Sequence, residues 1–294
     1  MKWKTSITEM IGCQYPIILG AFAGYDNKAL TAAISQAGGL GVLTASSYKN
    51  TDEFRNAIEY VKTNTQNPFG INFSVDSEVK RGHPFYDYLD IAEEEKIKFI
   101  ITAAFRAKDL GLEIKKKDIV WIHKATTMRH AISGEKMGAD AIIITGLEGG
   151  GLKNPKQNTF LINMVNAKQF LKKPIIASGG IKDGKGMLAA LILGAQAVHM
   201  CTAFLPSKES PIPEDWKYRI LNADCFDPNF IEKILHFKSK RPKYTDMSMA
   251  ITNNDDIINV KDIITQMINE AEEILKHLKI DSDLVDFTRL SVNP

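Results

Sequence analysis

Eight short apolar runs along the first two-thirds of the chain constrain the fold more than any other feature of the sequence. The runs are continuous rather than alternating and are rich in β-branched residues, which is typical of strands covered on both faces in a parallel sheet. Most are separated by segments with helical apolar spacing, several of which end in glycine, a frequent helix stop. The pattern favours a (β/α)8 TIM barrel over an open doubly wound sheet. The runs span residues 15–20, 41–45, 69–75, 99–103, 118–125, 141–145, 174–180 and 197–205.

The connection after the fourth run is the weakest part of this pattern. Only a short helix at about residues 106–111 fits there, so the strand count could be wrong by one. After residue 205 the pattern changes, and an amphipathic segment at residues 260–278 could return to close the barrel wall. We therefore expect a barrel at residues 1–207, closed by a C-terminal helix within residues 260–294. A small, mostly helical cap, or substrate domain, is expected at residues 208–259.

Composition and charge exclude several classes of protein. The chain has 294 residues, of which 44% are hydrophobic, so it can bury a large core. Its formal net charge of +2 gives no field that would gather nucleic acid or an anionic membrane. Cys13, Cys201 and Cys225 lie far apart without a C-x-x-C pair, which indicates a reducing compartment and argues against a disulfide framework or a metal site.

Neither a secretory signal pattern nor an apolar run long enough for a bilayer is found. We therefore expect a cytoplasmic protein that acts on a small-molecule substrate, with neither nucleic acid nor membrane as a partner. The composition is compatible with an oligomer.

Two segments near the ends of the last two runs suit an anion. Residues 177–186, ASGGIKDGKG, pass from a strand through a glycine pair into a helix start, which offers free N–H groups and a helix dipole. Residues 200–202, MCT, add N–H groups and a hydroxyl. Barrels of this kind commonly hold phosphate after strands seven and eight, so we predict a cofactor phosphate here, with a plain tight turn as the alternative. A nucleoside triphosphate loop is disfavoured because Gly186 stands where that loop needs Ser or Thr.

Polar side chains in two other runs suit a flat heteroaromatic ring. Asn72 offers a donor and an acceptor inside an apolar strand, and Lys124 offers a positive charge. The alternatives are a satisfied core amide for Asn72 and a lysine at the barrel mouth that extends to solvent for Lys124. His123 and His199 also lie in apolar strands, and we interpret both as core histidines rather than bases.

The sixth run leads into the loop GLEGGGLKN, residues 146–154. Three adjacent glycines let a backbone approach a flat or bulky ligand closely, at a cost in chain entropy. This loop is therefore expected to serve a ligand.

Seven segments, in order, carry a resemblance to the nitronate monooxygenase family, formerly called 2-nitropropane dioxygenase. The resemblance covers about residues 10–210 and is specific in combination, since any single segment would be weak. It implies FMN-dependent TIM barrels, a group that includes FMN-dependent enoyl-acyl-carrier-protein reductases and NAD(P)H:quinone reductases. The segments are residues 15–24, 32–43, 68–73, 123–131, 138–151, 177–186 and 194–205.

The resemblance implies FMN as the cofactor and assigns residues to it. The loop of Gly20, Ala21 and Phe22 would lie against the flavin ring, with Asn72 and Lys124 at its polar edges. Within the glycine-rich loop, the residues expected to face the ring are Gly149 and Gly150. The phosphate would be bound by Ser178, Gly179, Gly180, Cys201 and Thr202.

This chain departs from the family pattern at several positions. The family usually has Gln-Gly-Pro-Met where this chain has residues 19–22, a glycine at Cys201 and often an acidic residue at Thr145. The largest departure is Leu152. The family loop reads Gly-x-Glu-Ala-Gly-Gly-His, and its histidine acts as a base toward a nitroalkane or as a proton donor in reduction. Leucine cannot transfer a proton.

No catalytic residue is assigned with this histidine absent. Tyr25, Glu148 and Lys153 are the nearby candidates for a proton donor, although Glu148 is interpreted first as a cap for backbone N–H groups.

Three functions are therefore considered. The first is an FMN-dependent oxidoreductase that oxidises alkyl nitronates with O2, which needs no side-chain base because the substrate is already anionic. The second is an NAD(P)H-dependent flavin reductase that acts on a quinone or an enoyl thioester. The third is a non-catalytic FMN-binding module.

Overall fold

The computed structural model describes residues 1–75, 79–235, 240, 243–251, 256–278, 280 and 284–288. Parts of the expected cap and of the expected C-terminal closing segment therefore lie outside the described residues. Labels below cover the strands and helices of the barrel only.

Eight parallel strands form one sheet, as the eight apolar runs predict. The strands are β1 (Ile17–Leu19), β2 (Gly41–Thr44), β3 (Phe69–Val75), β4 (Phe99–Ala104), β5 (Val120–Ala125), β6 (Ala141–Thr145), β7 (Ile175–Ser178) and β8 (Ala197–Met200). Each strand pairs with the next from β2 to β8, and β8 pairs with β1.

The sheet closes on itself between β1 and β2. The Leu19 amide donates to the Leu40 carbonyl at 2.9 Å, and the Leu40 amide donates to the Ile17 carbonyl at 2.8 Å. A parallel bridge between Ile18 and Leu40 lies at the same place. These bonds confirm the predicted (β/α)8 barrel.

Eight helices surround the strands. They are α1 (Lys28–Gln36), α2 (Thr51–Asn64), α3 (Pro84–Glu94), α4 (Lys108–Lys116), α5 (Met128–Met137), α6 (Phe160–Phe170), α7 (Gly184–Ile192) and α8 (Val260–His277). Several begin at a side chain that accepts a hydrogen bond from the first turn, such as Asn50 before α2 and Thr127 before α5. Helix α8 packs between α7 and α1 and so completes the ring of helices.

Helix α4 corrects the expectation of a short helix at residues 106–111. It runs from Lys108 to Lys116, a full barrel helix, because Gly111 is not a helix stop. A Cβ on Gly111 would collide with the Trp121 ring of β5, so the glycine lets the helix lie directly on the strand. The connection therefore contains an ordinary helix, and the strand count holds.

The amino-terminal end of the barrel is covered by both ends of the described chain. Strand Lys2–Lys4 pairs in parallel with strand Leu284–Asp286, and the Trp3 and Phe287 rings stack with centroids 6.0 Å apart. The buried side chain of Gln196, just before β8, accepts from the Ser6 amide and donates to the Phe287 carbonyl. This packing leaves the opposite, carboxyl end of the strands for a ligand.

The described parts of the chain between β8 and α8 lie over that carboxyl end. They contain helices Glu214–Leu221 and Pro228–Leu235 and the strand Lys243–Thr245, which pairs antiparallel with Gly151–Lys153 of the glycine-rich loop. A small second hydrophobic cluster holds these elements together. The cluster consists of Leu205, Ile212, Ile220, Ile234 and Met247. The division into a barrel and a cap domain at residues 207 and 208 stays a prediction. Among the described helices, none has the length and apolar character needed to cross a membrane.

Candidate functional site

A cavity of about 390 Å³ opens at the carboxyl ends of the strands. Its walls come from β3, β4, β5, β7 and β8 and from the loops that follow β1, β6, β7 and β8. The described part of the chain between β8 and α8, here called the mouth segment, supplies the remaining wall. The structure brings together every residue predicted to bind the cofactor except Gly20. Those that line the cavity are Ala21, Phe22, Asn72, Lys124, Gly149, Gly150, Ser178, Gly179, Gly180, Cys201 and Thr202.

Gly20 serves the packing of two strands and does not line the cavity. Its amide donates to the Met200 carbonyl at 2.6 Å. A Cβ on Gly20 would stand 2.8 Å from the Cβ of Cys201 and 3.1 Å from the His199 ring. Glycine is needed at this position because the Cys201 side chain fills the space between the two strand ends.

The loops after β7 and β8 present free backbone N–H groups. The amides of Gly179, Gly180, Cys201 and Thr202 donate to no described residue. Gly179 and Gly180 have φ values of +94° and +73°, which favour glycine. The predicted strand at residues 197–205 in fact ends at Met200, where the chain turns and the Phe204 amide donates to the Cys201 carbonyl. Free N–H groups on two loops that line one cavity suit an anion such as phosphate.

The start of helix α7 does not contribute to this anion site, contrary to the sequence prediction. The Gly186 amide donates to the Asp183 carboxylate at 2.8 Å, and the Gly184 amide donates to Glu270 of α8 at 2.8 Å. Because two carboxylates already satisfy this first turn, its N–H groups and the positive end of its dipole are occupied.

Lys124 brings an uncompensated positive charge to the cavity. Its side chain is half-buried, and none of the described residues forms a hydrogen bond or an ion pair with its ammonium group. Burial lowers the pKa of Lys124, an effect that the nearby Cys201 thiol opposes. Partial burial of a cation without a partner is costly, so the site is suited to an acceptor or an anionic group of a ligand.

Asn72 adds a second polar group to the same wall. Its Nδ2 donates to the Ser74 hydroxyl at 3.0 Å, while its amide oxygen has no partner among the described residues. The cavity therefore presents an acceptor in addition to the lysine ammonium group.

The glycine-rich loop is pressed between two other pieces of backbone. A Cβ on Gly149 would meet the Thr145 methyl at 2.5 Å, and one on Gly150 would meet the Met247 carbonyl carbon at 2.9 Å. Gly151 has φ +83°. The three glycines thus let the loop fit under the mouth segment while it also lines the cavity.

The three candidate proton donors are engaged outside the cavity. Glu148 accepts from the Phe160 amide at 2.8 Å and so caps α6, where Thr159 makes no side-chain cap bond. The ammonium group of buried Lys153 donates to the Leu147 carbonyl, and burial lowers the pKa of Lys153 to about 8. The Tyr25 ring packs on Trp216, with centroids 5.8 Å apart. Leu152, in contrast, lines the cavity.

The two histidines differ in location. His123 bonds the Thr102 hydroxyl at 2.8 Å and lies against Gly134 of α5, on the outer face of the barrel, and burial lowers its pKa to about 4. His199 lines the cavity and bonds the Ser178 hydroxyl at 3.1 Å. Burial holds the pKa of His199 well below its usual range, helped by the charge of Lys124.

Sequence reasoning missed the residues that the mouth segment supplies. All but Trp216 follow or belong to a strand of three residues that pairs with a loop some ninety positions earlier, and so short an element has no clear periodicity. The missed lining residues include Trp216, Tyr244, Asp246, Met247 and Ser248.

The fold and the cavity define the class of the protein as a TIM-barrel enzyme with a cofactor-sized cavity at the carboxyl ends of its strands. The model of the nitronate monooxygenase family matches residues 4–247. The chain belongs to the nitronate monooxygenase family, a family of flavin-dependent oxidoreductases, which confirms the resemblance found in the sequence.

Curated relatives support this placement. A probable nitronate monooxygenase of Staphylococcus aureus (strain MSSA476) is 32% identical over 259 residues, covering 75% of this chain and 73% of the relative. The (3aS,4S,5R,7aS)-5-hydroxy-7a-methyl-1-oxo-octahydro-1H-indene-4-carboxyl-CoA dehydrogenase of Rhodococcus jostii (strain RHA1) is 32% identical over 231 residues. That match covers 79% of this chain but 63% of the dehydrogenase, less than two thirds of its length.

Solved structures share the fold. FabK from Thermotoga maritima superimposes with a TM-score of 0.79 at 26% identity, covering 94% of this chain and 98% of that chain. A nitroalkane oxidase from Streptomyces ansochromogenes has a TM-score of 0.75 at 19% identity, which shows a shared fold alone.

Proposed function

We propose that the protein is an FMN-dependent oxidoreductase that oxidises alkyl nitronates with O2 and does so without a histidine base. The observation that carries the proposal is Leu152, which lines the cavity where the family has its histidine, while Glu148 and Lys153 are bound to backbone groups outside it. A substrate that must lose a proton would find no suitable acceptor among these residues.

The residues of the cavity fit FMN. The free N–H groups of Gly179, Gly180, Cys201 and Thr202 would hold the phosphate, and the unpaired ammonium of Lys124 would face a polar edge of the ring. When bound, FMN supplies two-electron oxidation and passes the electrons to O2. The neutral Cys201 thiol, whose pKa burial raises to about 12, adds no competing negative charge at the phosphate.

A nitronate fits the remaining groups because it arrives deprotonated. The protein then has only to orient the anion and keep water away from it. Leu152, Met200 and Met247 supply an apolar wall for the alkyl part.

The test compares a nitronate with its neutral tautomer under anaerobic conditions. The purified protein is first shown to release FMN, and its visible flavin band is then followed while propionate 3-nitronate or 3-nitropropanoate is added. We expect the nitronate to bleach the band and the neutral nitro compound to leave it unchanged. Leu152→His should add bleaching by the neutral compound, because it returns a base to the loop. Equal reaction with both forms, or none with the nitronate, would contradict the proposal.

A second candidate is an NAD(P)H-dependent flavin reductase that acts on a quinone or an enoyl thioester. It is favoured by the likeness to FabK over nearly the whole of both chains and by the relative whose name includes a carboxyl-CoA compound. Anaerobic addition of NADH and NADPH separates the two candidates, since rapid bleaching by either nucleotide indicates the reductase. A flavin band that no donor bleaches would indicate a non-catalytic FMN-binding module.

A further inference from the structure

The mouth segment places a tyrosine directly beside Leu152. In the antiparallel pair formed by strands Gly151–Lys153 and Lys243–Thr245, Leu152 stands opposite Tyr244. Residues directly opposite each other in such a pair project from the same face, with Cβ atoms about 4.5–5.5 Å apart. Both side chains line the cavity. Tyr244 therefore lies next to the position where the family carries its histidine.

The chemistry of Tyr244 complements that of Leu152. Leu152 has no polar group, whereas a phenol with an ordinary pKa of about 10 is protonated at neutral pH and can donate a hydrogen bond. Tyr244 is 70% exposed at the mouth, and its hydroxyl has no hydrogen-bond partner among the described residues. The donor is thus available to a ligand that enters the cavity.

Two hydrogen bonds fix the segment that carries Tyr244 on the cofactor loops. The Ser248 amide donates to the Thr202 hydroxyl at 3.0 Å, and the Met249 amide donates to the Glu148 carbonyl at 2.8 Å. Gly150 packs against the Met247 backbone in the same place. The position of Tyr244 is therefore tied to the loops after β6 and β8.

We propose that Tyr244 is a substrate-binding residue that donates a hydrogen bond to a negatively charged oxygen of the substrate, in the place of the histidine that Leu152 replaces. The inference rests on the proposed function and specifies it: the substrate carries an oxyanion near its reacting atom, with an apolar group against Leu152. The phenol binds and orients this oxygen and transfers no proton.

The test measures binding of an inert oxyanion to the flavin-loaded protein. Isobutyrate has the planar charged group and the branched carbons of propane 2-nitronate but cannot be oxidised in the same way. Its dissociation constant is read from the shift of the visible flavin band and, independently, from the fluorescence of Trp216, which lines the same cavity. Tyr244→Phe should weaken binding about tenfold, since a hydrogen bond to a charged group is lost.

Tyr218→Phe is the matched control. Tyr218 lies on helix Glu214–Leu221, is 41% exposed and is not among the cavity-lining residues. It should bind isobutyrate like the unaltered protein. In the double variant Leu152→His, Tyr244→Phe, the returned histidine should restore part of the lost affinity.

Unchanged affinity in Tyr244→Phe, an equal loss in Tyr218→Phe, or no binding of isobutyrate by the unaltered protein would overturn the inference. The outcome is separable from that of the proposed function. Binding that depends on Tyr244 without nitronate oxidation would refute the function and keep the residue's role, whereas nitronate oxidation with unchanged isobutyrate affinity in Tyr244→Phe would do the reverse.

Discussion

Lys124 shows how one side chain can favour the bound state over the free state. Its ammonium is half-buried in the cavity wall and has no partner among the described residues, and burial lowers its pKa. Lys124→Met should therefore weaken FMN binding by on the order of tenfold to a hundredfold, as expected for loss of a hydrogen bond from a charged donor. The free energy of unfolding of the flavin-free protein should stay the same or rise, because an uncompensated charge is removed.

Flavin affinity by fluorescence titration and urea unfolding of the flavin-free protein measure the two effects. Lys2→Met is a suitable control, since Lys2 is exposed at the opposite end of the barrel and should change neither quantity. A Lys124→Met variant with unchanged flavin affinity would show that this lysine only covers the barrel mouth.

The roles of single residues could be predicted where the signal lies in the neighbouring sequence. Asn72 and Lys124 stand out as polar side chains in apolar strands, and the glycine pair at residues 179–180 marks a strand end. The sequence could not show why position 20 is glycine, because the close neighbour there is the side chain of Cys201, just after the neighbouring strand β8. Tyr244 was missed, since its partner Leu152 is distant in sequence.

At the scale of elements, the glycine-rich loop connects the barrel to the segment over its mouth. A methyl group on Gly150 would stand 2.9 Å from the Met247 carbonyl carbon and 3.0 Å from its oxygen, and backbone atoms cannot move aside as a side chain end can. Gly150→Ala should therefore lower the free energy of unfolding by about 1–3 kcal/mol, as overpacking does. Flavin affinity should fall with it, because Gly150 also lines the cavity.

Gly186→Ala provides the comparison for this variant in the same denaturation and flavin titrations. A Cβ on Gly186 would meet its neighbours at 3.4 Å or more, and this residue lies within helix α7. Alanine should leave flavin binding unchanged and stabilise the helix by up to about 1 kcal/mol. If Gly150→Ala behaved in the same way, the contact between the glycine-rich loop and the mouth segment would contribute neither to stability nor to flavin binding.

Strands and helices could be predicted from the sequence wherever the hydrophobic periodicity and the signals for element ends agree. All eight strands were found because continuous Ile and Val runs require cover on both faces. Helix α4 was placed too short because Gly111 resembles a stop, although it is a contact point for Trp121. The free dipole expected at α7 was wrong because Glu270, which satisfies it, is far along the chain.

At the scale of the whole molecule, the barrel is completed by a helix that arrives only after the mouth segment. The amphipathic pattern at residues 260–278 predicted this helix, and α8 occupies the place between α7 and α1. Its docking site could not be read from the sequence. Gly184 leaves no space for a Cβ beside the Met267 carbonyl, and Glu270 of α8 accepts hydrogen bonds from the first turn of α7.

Glu270 therefore links the last helix to the rest of the barrel, and its removal tests how strongly closure depends on this contact. Lys185 and the Gly184 amide hold the pKa of Glu270 below its usual value, against the opposing effect of burial. A lowered carboxyl pKa stabilises the fold above the unfolded pKa of about 4.5, and that contribution is lost as the pH falls through the lowered folded value. At pH 7, Glu270→Gln should lower the free energy of unfolding by about 1 kcal/mol, the usual cost of a lost helix cap.

Urea unfolding between pH 7 and pH 3 measures this contribution, and the difference between Glu270→Gln and the unaltered protein should shrink toward zero at the acidic end. Glu273 is exposed on the same helix and serves as the control. Glu273→Gln should have the same free energy of unfolding as the unaltered protein at every pH. A difference that is independent of pH would mean that glutamine disturbs packing at Gly184 rather than removing a charge. If the difference falls with pH as expected, the charge of Glu270 contributes to the attachment of α8 to the first turn of α7.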